Sequence, residues 1–277
     1  MRLEDMRRSD NVEDRRGFTP AHGVGIGLGT LVLLVAGYFL GVSPSDMLNL
    51  LGAGGAGTQG AADVSQRGTV GRPHDPQGDF AAAVLGETED VWTQYFNAAG
   101  QRYTPPKLVL FSGEVASACG EASSAAGPFY CPGDQQVYID LDFFTQLDHE
   151  FGAPGQFARA YVLAHEVGHH VQNLLGLAGA GAQPGAHGRS VEIELQADCL
   201  AGVWAMHDQR IIEPGEVQQA LAAAAAVGDD TLQKRTQGRV VPDTFTHGTA
   251  AQRQRWFQRG FEGGRIESCD TRSASQL

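Results

Sequence analysis

Apolar residues recur at helical spacing over much of the chain, and two short stretches carry the apolar pattern of strands. Apolar positions three or four residues apart predict amphipathic helices, whereas short apolar or alternating runs predict strands. The first pattern predicts helices at residues 79–100, 153–176, 190–202, 213–227 and from Thr246 or Thr249 to Phe261. The second predicts strands at residues 107–111 and 136–144. Together they predict an α+β domain that is mainly helical with a small sheet.

A different pattern marks residues 24–42, where 19 consecutive residues carry no charge. At 1.5 Å per residue, such a helix nearly spans a hydrocarbon core of about 30 Å, so we predict a single transmembrane helix. Five arginines precede it and the first basic residue after it is Arg67, so the positive-inside rule places the N-terminus in the cytoplasm. The domain that follows is then extracytoplasmic, either periplasmic or extracellular. A cleaved signal peptide is the alternative.

The regions around this segment differ in composition. Residues 1–23 begin with five basic and five acidic side chains and few apolar ones, which predicts a disordered cytoplasmic tail. Residues 43–78 are rich in glycine, alanine, serine and glutamine and predict a flexible linker. Residues 79–277 are long enough for one domain with its own core. The formal net charge of −12 argues against a nucleic-acid partner, and we expect no small-molecule cofactor.

The helix predicted at residues 153–176 carries the sequence His-Glu-Val-Gly-His, with His165 and His169 one turn apart on the same face. Both imidazoles can therefore bind one metal ion, and Glu166 is placed to accept a proton from a zinc-bound water, as in zinc hydrolases. The next histidine, His170, lies about 100° off that face and is interpreted as a non-ligand. The alternative is a core helix that carries two hydrogen-bonded histidines.

The helix predicted at residues 190–202 supplies carboxylates for a zinc site. Glu194 and Asp198 are four residues apart on an otherwise small, apolar face, and two carboxylates that face a core require a cation. Because a catalytic zinc takes three protein ligands, we predict Glu194 as the third ligand and Asp198 as the carboxylate that orients a ligand histidine. Glu192 lies off this face and is expected in solvent. The alternative is an exposed acidic stripe.

Three motifs together carry a resemblance to a known family. The His-Glu-x-x-His motif, the Glu194-x-x-x-Asp198 pair and the segment at residues 245–257 resemble the bacterial neutral zinc metallopeptidase family, the YpfJ-like proteins. The resemblance begins at residues 9–16 and extends over nearly the whole chain. It implies a membrane-anchored zincin-like fold, a zinc ion and peptidase activity on a peptide or protein substrate. It does not identify that substrate.

Four cysteines suit an oxidising compartment and an even pairing. Of the three possible connectivities we prefer Cys119 with Cys131, which closes a short loop, and Cys199 with Cys269, which ties the C-terminal segment to the helix of Glu194. The sequence contains no Cys-x-x-Cys, which argues against a cysteine zinc site.

Two further features have open interpretations. His247, at a loop-to-helix junction, is either a donor that stabilises an oxyanion near the zinc or a structural cap. The strand predicted at residues 136–144 alternates between apolar and polar residues. It is either an exposed strand that pairs with an extended substrate or an ordinary sheet edge.

The sequence favours a membrane-anchored zinc endopeptidase that uses Glu166 as general base. A structural zinc site usually has four protein ligands and needs no glutamate between two of them. One alternative is a membrane-anchored binding or assembly factor with a structural or vestigial metal site. Another is a zinc amidase that acts on cell-wall material.

Overall fold

The computed structural model describes residues 1–17, 68–177, 184–274 and 277. The transmembrane helix predicted at residues 24–42 lies outside these ranges and stays a prediction. Within the described ranges, no helix is both long and apolar enough to cross a membrane. The predicted linker also lies largely outside them, but its last part already belongs to the fold.

The described residues confirm a mainly helical α+β domain. The α-helices are α1 (Pro76–Ala98), α2 (Asp142–His149), α3 (Gln156–Leu174), α4 (Arg189–His207), α5 (Glu216–Ala226), α6 (Asp229–Gln237) and α7 (Ala250–Gly263). Five of these match the predicted helices to within a few residues. The sequence did not predict α2, whose apolar start continues the pattern of the preceding strand, or α6, which is mostly polar.

The strands are β1 (Val12–Asp14), β2 (Thr69–Val70), β3 (Lys107–Phe111), β4 (Glu114–Ser117), β5 (Gly120–Ser123), β6 (Phe129–Cys131) and β7 (Gln136–Asp140). Five of them form one sheet in the order β2-β1-β3-β7-β6, and β4 pairs with β5 in a separate hairpin. β1, β3 and β7 run parallel to one another, whereas β2 and β6 are antiparallel to their neighbours. The sheet is therefore mixed.

The position of β7 corrects one prediction. β7 lies between β3 and β6, and its residues 137–140 are buried, so it is neither a half-exposed strand nor a sheet edge. It also ends at Asp140, four residues before the predicted end at Phe144. Its polar position is satisfied internally, because Asp140 accepts a hydrogen bond of 2.9 Å from the backbone of Gly113. The strand at this edge of the sheet is β6.

Residues 1–17, called the N-terminal arm below, pack on the domain. The disordered tail expected for residues 1–23 is therefore wrong for the arm, in which Val12 is fully buried and Met6 is 4% exposed. Its arginines pair with carboxylates at α1: Arg7 with Glu89 and Asp90, Arg8 with Asp79, and Arg16 with Asp75. Its charge pattern predicted disorder because these folded partners are distant in the sequence.

α4 lies between α3 and α7, and two glycines allow the close approach. A Cβ atom on Gly168 of α3 would lie 3.0 Å from the carbonyl oxygen of Ala197 on α4. A Cβ atom on Gly260 of α7 would lie 1.9 Å from the carbonyl oxygen of Cys199. Since packed interiors do not tolerate such overlap, larger side chains here would push the helices apart.

Both predicted disulfide bonds are present. Cys119 and Cys131 are 12 residues apart and join the turn between β4 and β5 to the end of β6. Cys199 and Cys269 are 70 residues apart and join α4 to the C-terminal segment. The second bond therefore ties the helix that carries Glu194 to a distant part of the chain.

Candidate active site

His165 and His169 on α3 and Glu194 on α4 form one cluster of possible metal ligands. His165 Nε2 lies 3.1 Å from Glu194 Oε2, and His169 Nε2 lies 3.5 Å from Glu194 Oε1. One ligand atom from each residue can be chosen so that all three lie within 4.8 Å of one another. A tetrahedral zinc with ligands at about 2.0–2.1 Å separates its ligand atoms by about 3.4 Å, so the spacing fits one ion.

Hydrogen bonds on the far side of each imidazole leave its Nε2 atom for a metal. His165 Nδ1 donates to Asp198 Oδ1 at 2.9 Å, and His169 Nδ1 donates to Gln172 Oε1 at 2.8 Å. In these tautomers the Nε2 lone pairs point towards Glu194. Two lone pairs and a carboxylate that face each other repel unless positive charge lies between them. The donor set therefore fits zinc.

Asp198 is fully buried and accepts hydrogen bonds from three side chains. Arg253 donates to its two oxygens at 2.8 and 2.9 Å, while Tyr161 and His165 donate to Oδ1. Arg253 is itself only 4% exposed. A buried carboxylate is stable beside a buried guanidinium that neutralises it, so Arg253 holds Asp198 in place against His165.

The sequence predicted that Asp198 orients a ligand histidine, and the structure brings Asp198 to His165. The sequence analysis did not predict the roles of Tyr161 and Arg253. Helical spacing could have indicated Tyr161, because it lies one turn before His165 on the same helical face. No sequence pattern could have indicated Arg253, since nothing in the sequence distinguishes a buried arginine on α7 from its exposed neighbours.

Burial and neighbouring charges act in opposite directions on each pKa in the cluster. Burial raises the pKa of Asp198, but Arg253 and His165 lower it more strongly, to about 2. Burial also raises the pKa of Glu194, which the two histidines lower well below its usual range. Burial lowers the pKa of His165, but Asp198 and Glu194 raise it to about 10. The carboxylates thus draw positive charge into the cluster, as imidazole protons or as a divalent cation in their place.

The cluster opens into a cavity of about 600 Å³. Glu166 lines this cavity together with His165, His169 and Glu194, and its side chain is 7% exposed. The structure therefore brings the predicted ligands and the predicted general base to one cavity, which is large enough for several substrate residues.

His247 also lines the cavity, a placement that the sequence could not establish. Asp229 Oδ2 accepts hydrogen bonds from the backbone N–H groups of Thr246, His247 and Gly248 at 2.7, 2.7 and 3.0 Å. Its other oxygen lies 3.2 Å from His247 Nδ1, and this hydrogen bond raises the pKa of His247 while burial opposes it. Asp229, which the sequence did not single out, therefore fixes the loop that carries His247.

Two nearby residues do not belong to the ligand cluster. His170 is fully buried, donates from Nε2 to the carbonyl oxygen of Thr104 at 2.7 Å and accepts from the Tyr130 hydroxyl at 3.0 Å. Glu192 accepts a hydrogen bond of 3.0 Å from Arg189 and is partly exposed. Both histidine nitrogens of His170 are occupied by protein groups, so it is not available to a metal.

Comparison with known proteins agrees with this geometry. Residues 1–272 match the family described as "putative neutral zinc metallopeptidase". The chain therefore belongs to this family, and the resemblance carried by its motifs is confirmed. Zinc is the metal that the family and the ligand cluster together indicate.

Relatives extend over most of the chain. The uncharacterized protein YpfJ of Escherichia coli K12 is 44% identical over 291 aligned residues, which cover 98% of each chain. The uncharacterized protein Rv2575 of Mycobacterium tuberculosis H37Rv is 53% identical over 190 residues, which cover 63% of this chain and 65% of the relative. No solved structure gives a significant match.

Proposed function

We propose that the protein is a zinc-dependent peptidase that hydrolyses peptide bonds in the cavity beside α3. One observation carries the proposal. His165, His169 and Glu194 converge from two helices, and Glu166 lines the same cavity. A structural zinc site would complete its coordination with a fourth protein ligand. Among the described residues, the cluster offers three ligands and opens into a space that a substrate can enter.

When bound, zinc would polarise the carbonyl of the scissile bond and lower the pKa of an attacking water. Glu166 accepts the proton of that water and passes it to the leaving amine. Asp198 and Gln172 hold the two imidazoles by their Nδ1 atoms, so the rings do not turn when substrate enters.

His247 stabilises the negative charge that develops on the carbonyl oxygen. Its Nδ1 atom lies 2.9 Å from Thr246 Oγ1 and 3.2 Å from Asp229 Oδ1, and these two oxygens hold a proton on Nδ1. His247 therefore needs a second proton on Nε2 to donate into the cavity. We therefore expect kcat/KM to fall as pH rises through the raised pKa of His247. Asp229→Asn should move that fall to lower pH. An unmoved pH profile in this variant would remove Asp229 and His247 from the mechanism.

β6 provides an edge for the substrate backbone. It lies at the end of the sheet, and its residues Phe129 and Tyr130 line the cavity. Unpaired backbone groups of an edge strand can hydrogen-bond an extended peptide. In this proposal β6 takes the role that the sequence suggested for residues 136–144.

The test measures zinc content and peptide hydrolysis of the purified full chain with a mixed peptide library. Glu166→Gln should retain zinc and lose about 10²–10⁴-fold in turnover, because only the proton acceptor changes. His165→Ala should lose both zinc and turnover. Undiminished turnover in Glu166→Gln would contradict the proposal. A wild-type protein that holds zinc and cleaves no peptide would favour a binding factor instead.

A further inference from the structure

The cavity follows one face of α3. Its lining includes Val162, His165, Glu166, His169, Gln172 and Asn173, which recur at the three- and four-residue spacing of a helical face. From Val162 to Asn173 this stripe is about 16 Å long at 1.5 Å per residue. The ligand histidines lie in the middle, so a bound peptide would extend from the metal towards both ends.

The end of the stripe at Asn173 is polar. The side-chain amide of Asn173 donates to the hydroxyl of Tyr130 at 3.1 Å, and that hydroxyl also lies 3.0 Å from His170 Nδ1. Tyr130 belongs to β6, so this contact fixes one end of the strand against the C-terminal part of the α3 stripe.

Aromatic residues lie near the opposite end, because Phe151 is only five residues before the start of α3 at Gln156. A Cβ atom on Gly127 would lie 3.6 Å from the ring of Phe143, whose centroid is 6.0 Å from that of Phe151. Arg235 of α6 lies 5.7 Å from the centroid of Phe151, and Leu232 is one turn earlier on the same helix. Phe143, Phe151 and Leu232, together with Val162 on α3, are called the apolar end below.

The charged side chains of the cavity lining are unevenly distributed between the ligand cluster and the apolar end. Among the described residues of its lining, the charged and histidine side chains are His165, Glu166, His169, Glu194, His247 and Arg253. All of them belong to the ligand cluster, its hydrogen-bond network or the proposed catalytic groups. The apolar end contributes partly exposed Phe143, Phe151 and Leu232 without a charged side chain between them. Arg235, which contacts the Phe151 ring, does not itself line the cavity. A charged substrate side chain would therefore lose its hydration there without gaining a partner among the lining residues.

We propose that the apolar end is a subsite for one bulky apolar side chain, such as leucine or phenylalanine, next to the scissile bond. This inference rests on the proposed peptidase function. It names the substrate class: unfolded or extended peptide segments that carry an apolar residue beside the bond to be cut. The apolar end adjoins the ligand cluster in one cavity, so a peptide bond held there places a neighbouring side chain in it.

The first experiment compares cleavage of peptides that differ at one position beside the scissile bond. Leucine or phenylalanine should exceed alanine, aspartate and lysine by about 10- to 100-fold in kcat/KM, the range that pocket filling supplies. Equal cleavage of all five peptides would overturn the subsite and leave the peptidase proposal intact.

The second experiment reverses the preference. Leu232→Glu places a carboxylate at the apolar end and should shift cleavage towards lysine beside the scissile bond, with unchanged zinc content. Leu221→Glu, at another partly buried leucine outside the cavity lining, is the matched control and should keep the apolar preference. If both variants retain the wild-type preference, Leu232 does not line the subsite and the inference is wrong.

A binding measurement separates the subsite from catalysis. Zinc-loaded Glu166→Gln protein, which should not turn over substrate, is titrated with the leucine and aspartate peptides. The leucine peptide should bind about 10-fold more tightly. Equal affinities would overturn the subsite even if the wild type cleaves no peptide, an outcome that would by itself contradict only the proposed function.

Discussion

The surroundings of the ligand cluster and the N-terminal arm both depend on charged side chains, but the two regions neutralise charge in different ways. Beside the ligand cluster, Asp198 and Arg253 pair inside the protein, where the two side chains are at most 5% exposed. In the arm, Arg7 is 45% exposed and pairs with Asp90, which is 43% exposed. The first pair is isolated from water, whereas the second shares its charges with solvent.

The two regions also differ in how they are tied to the domain. The ligand cluster joins two helices that pack directly, so each ligand is held by its own helix. The two histidines are also held by hydrogen bonds from their Nδ1 atoms to Asp198 and Gln172. The arm is held by backbone pairing of β1 with β2 and β3 and by the buried side chains of Met6 and Val12. The ligand cluster thus relies on buried polar contacts, while attachment of the arm relies on sheet pairing and apolar burial.

The largest expected effect is an all-or-none cross-link, which tests whether the arm lies on the same side of a membrane as the domain. A single-pass topology, as predicted from the sequence, would place the arm and the domain on opposite sides of a membrane. The pairing of Asp14 with Thr69 requires both on one side. We expect Asp14→Cys/Thr69→Cys to be joined in cells by a short, membrane-permeant thiol cross-linker.

To read out the cross-link, a protease site is inserted between residues 43 and 60 and the chain is cleaved there. After cleavage, the arm remains covalently attached to the domain only in cross-linked chains. Asp14→Cys/Gln258→Cys, with the second cysteine on an exposed position of α7, is the control and should not cross-link. Release of the arm from the Asp14/Thr69 pair would show that β1 is unpaired in the cell.

The next effect contrasts the two kinds of ion pair. Arg253→Met leaves Asp198 buried without the guanidinium that neutralises it and should cost about 3–5 kcal/mol in the free energy of unfolding. Arg7→Met in the arm should cost at most about 1 kcal/mol, because its ion pairs are partly solvated. Urea unfolding measures both. Similar losses of unfolding free energy in the two variants would show that the buried and the solvated ion pair contribute equally to stability.

A third prediction tests whether apolar burial holds the arm. Met6→Ala removes a side chain that is 4% exposed and should cost about 2–5 kcal/mol. Met206→Ala, at a methionine that is 36% exposed, should stay within about 0.5 kcal/mol. If thermal unfolding gives the same small change for both variants, burial of Met6 in the arm does not contribute to the stability of the domain in solution.

The smallest effect separates the two disulfide bonds. In the chain-entropy model, a bond across 70 residues stabilises more than one across 12 residues, by about 1.6 kcal/mol. Cys199→Ser should therefore lower the unfolding free energy more than Cys119→Ser and should also weaken zinc retention, since Cys199 follows Asp198 on α4. A larger loss from Cys119→Ser would indicate that the β4–β5 hairpin matters more than α4 for stability.

The sequence by itself determined the features that follow from local spacing. The pair His165 and His169 lies on one face because a helix returns after 3.6 residues, and Glu194 and Asp198 share a face for the same reason. Five of the helices and the strand β3 were predicted for similar reasons of periodicity, and the cysteine count predicted an even pairing without determining which cysteines pair. Each of these required information from only a short part of the chain or from four cysteines.

Only the tertiary structure decided which distant groups meet. Arg253 reaches Asp198 because α7 packs on α4, and Asp229 reaches His247 because α6 begins beside the loop before α7. β7 is internal because it pairs with β3 on one side and β6 on the other, and the arm is ordered because β1 pairs with β2 and β3. These contacts depend on side chains that are far apart in the chain, and helical or strand periodicity contains no information about which distant surfaces will pack together.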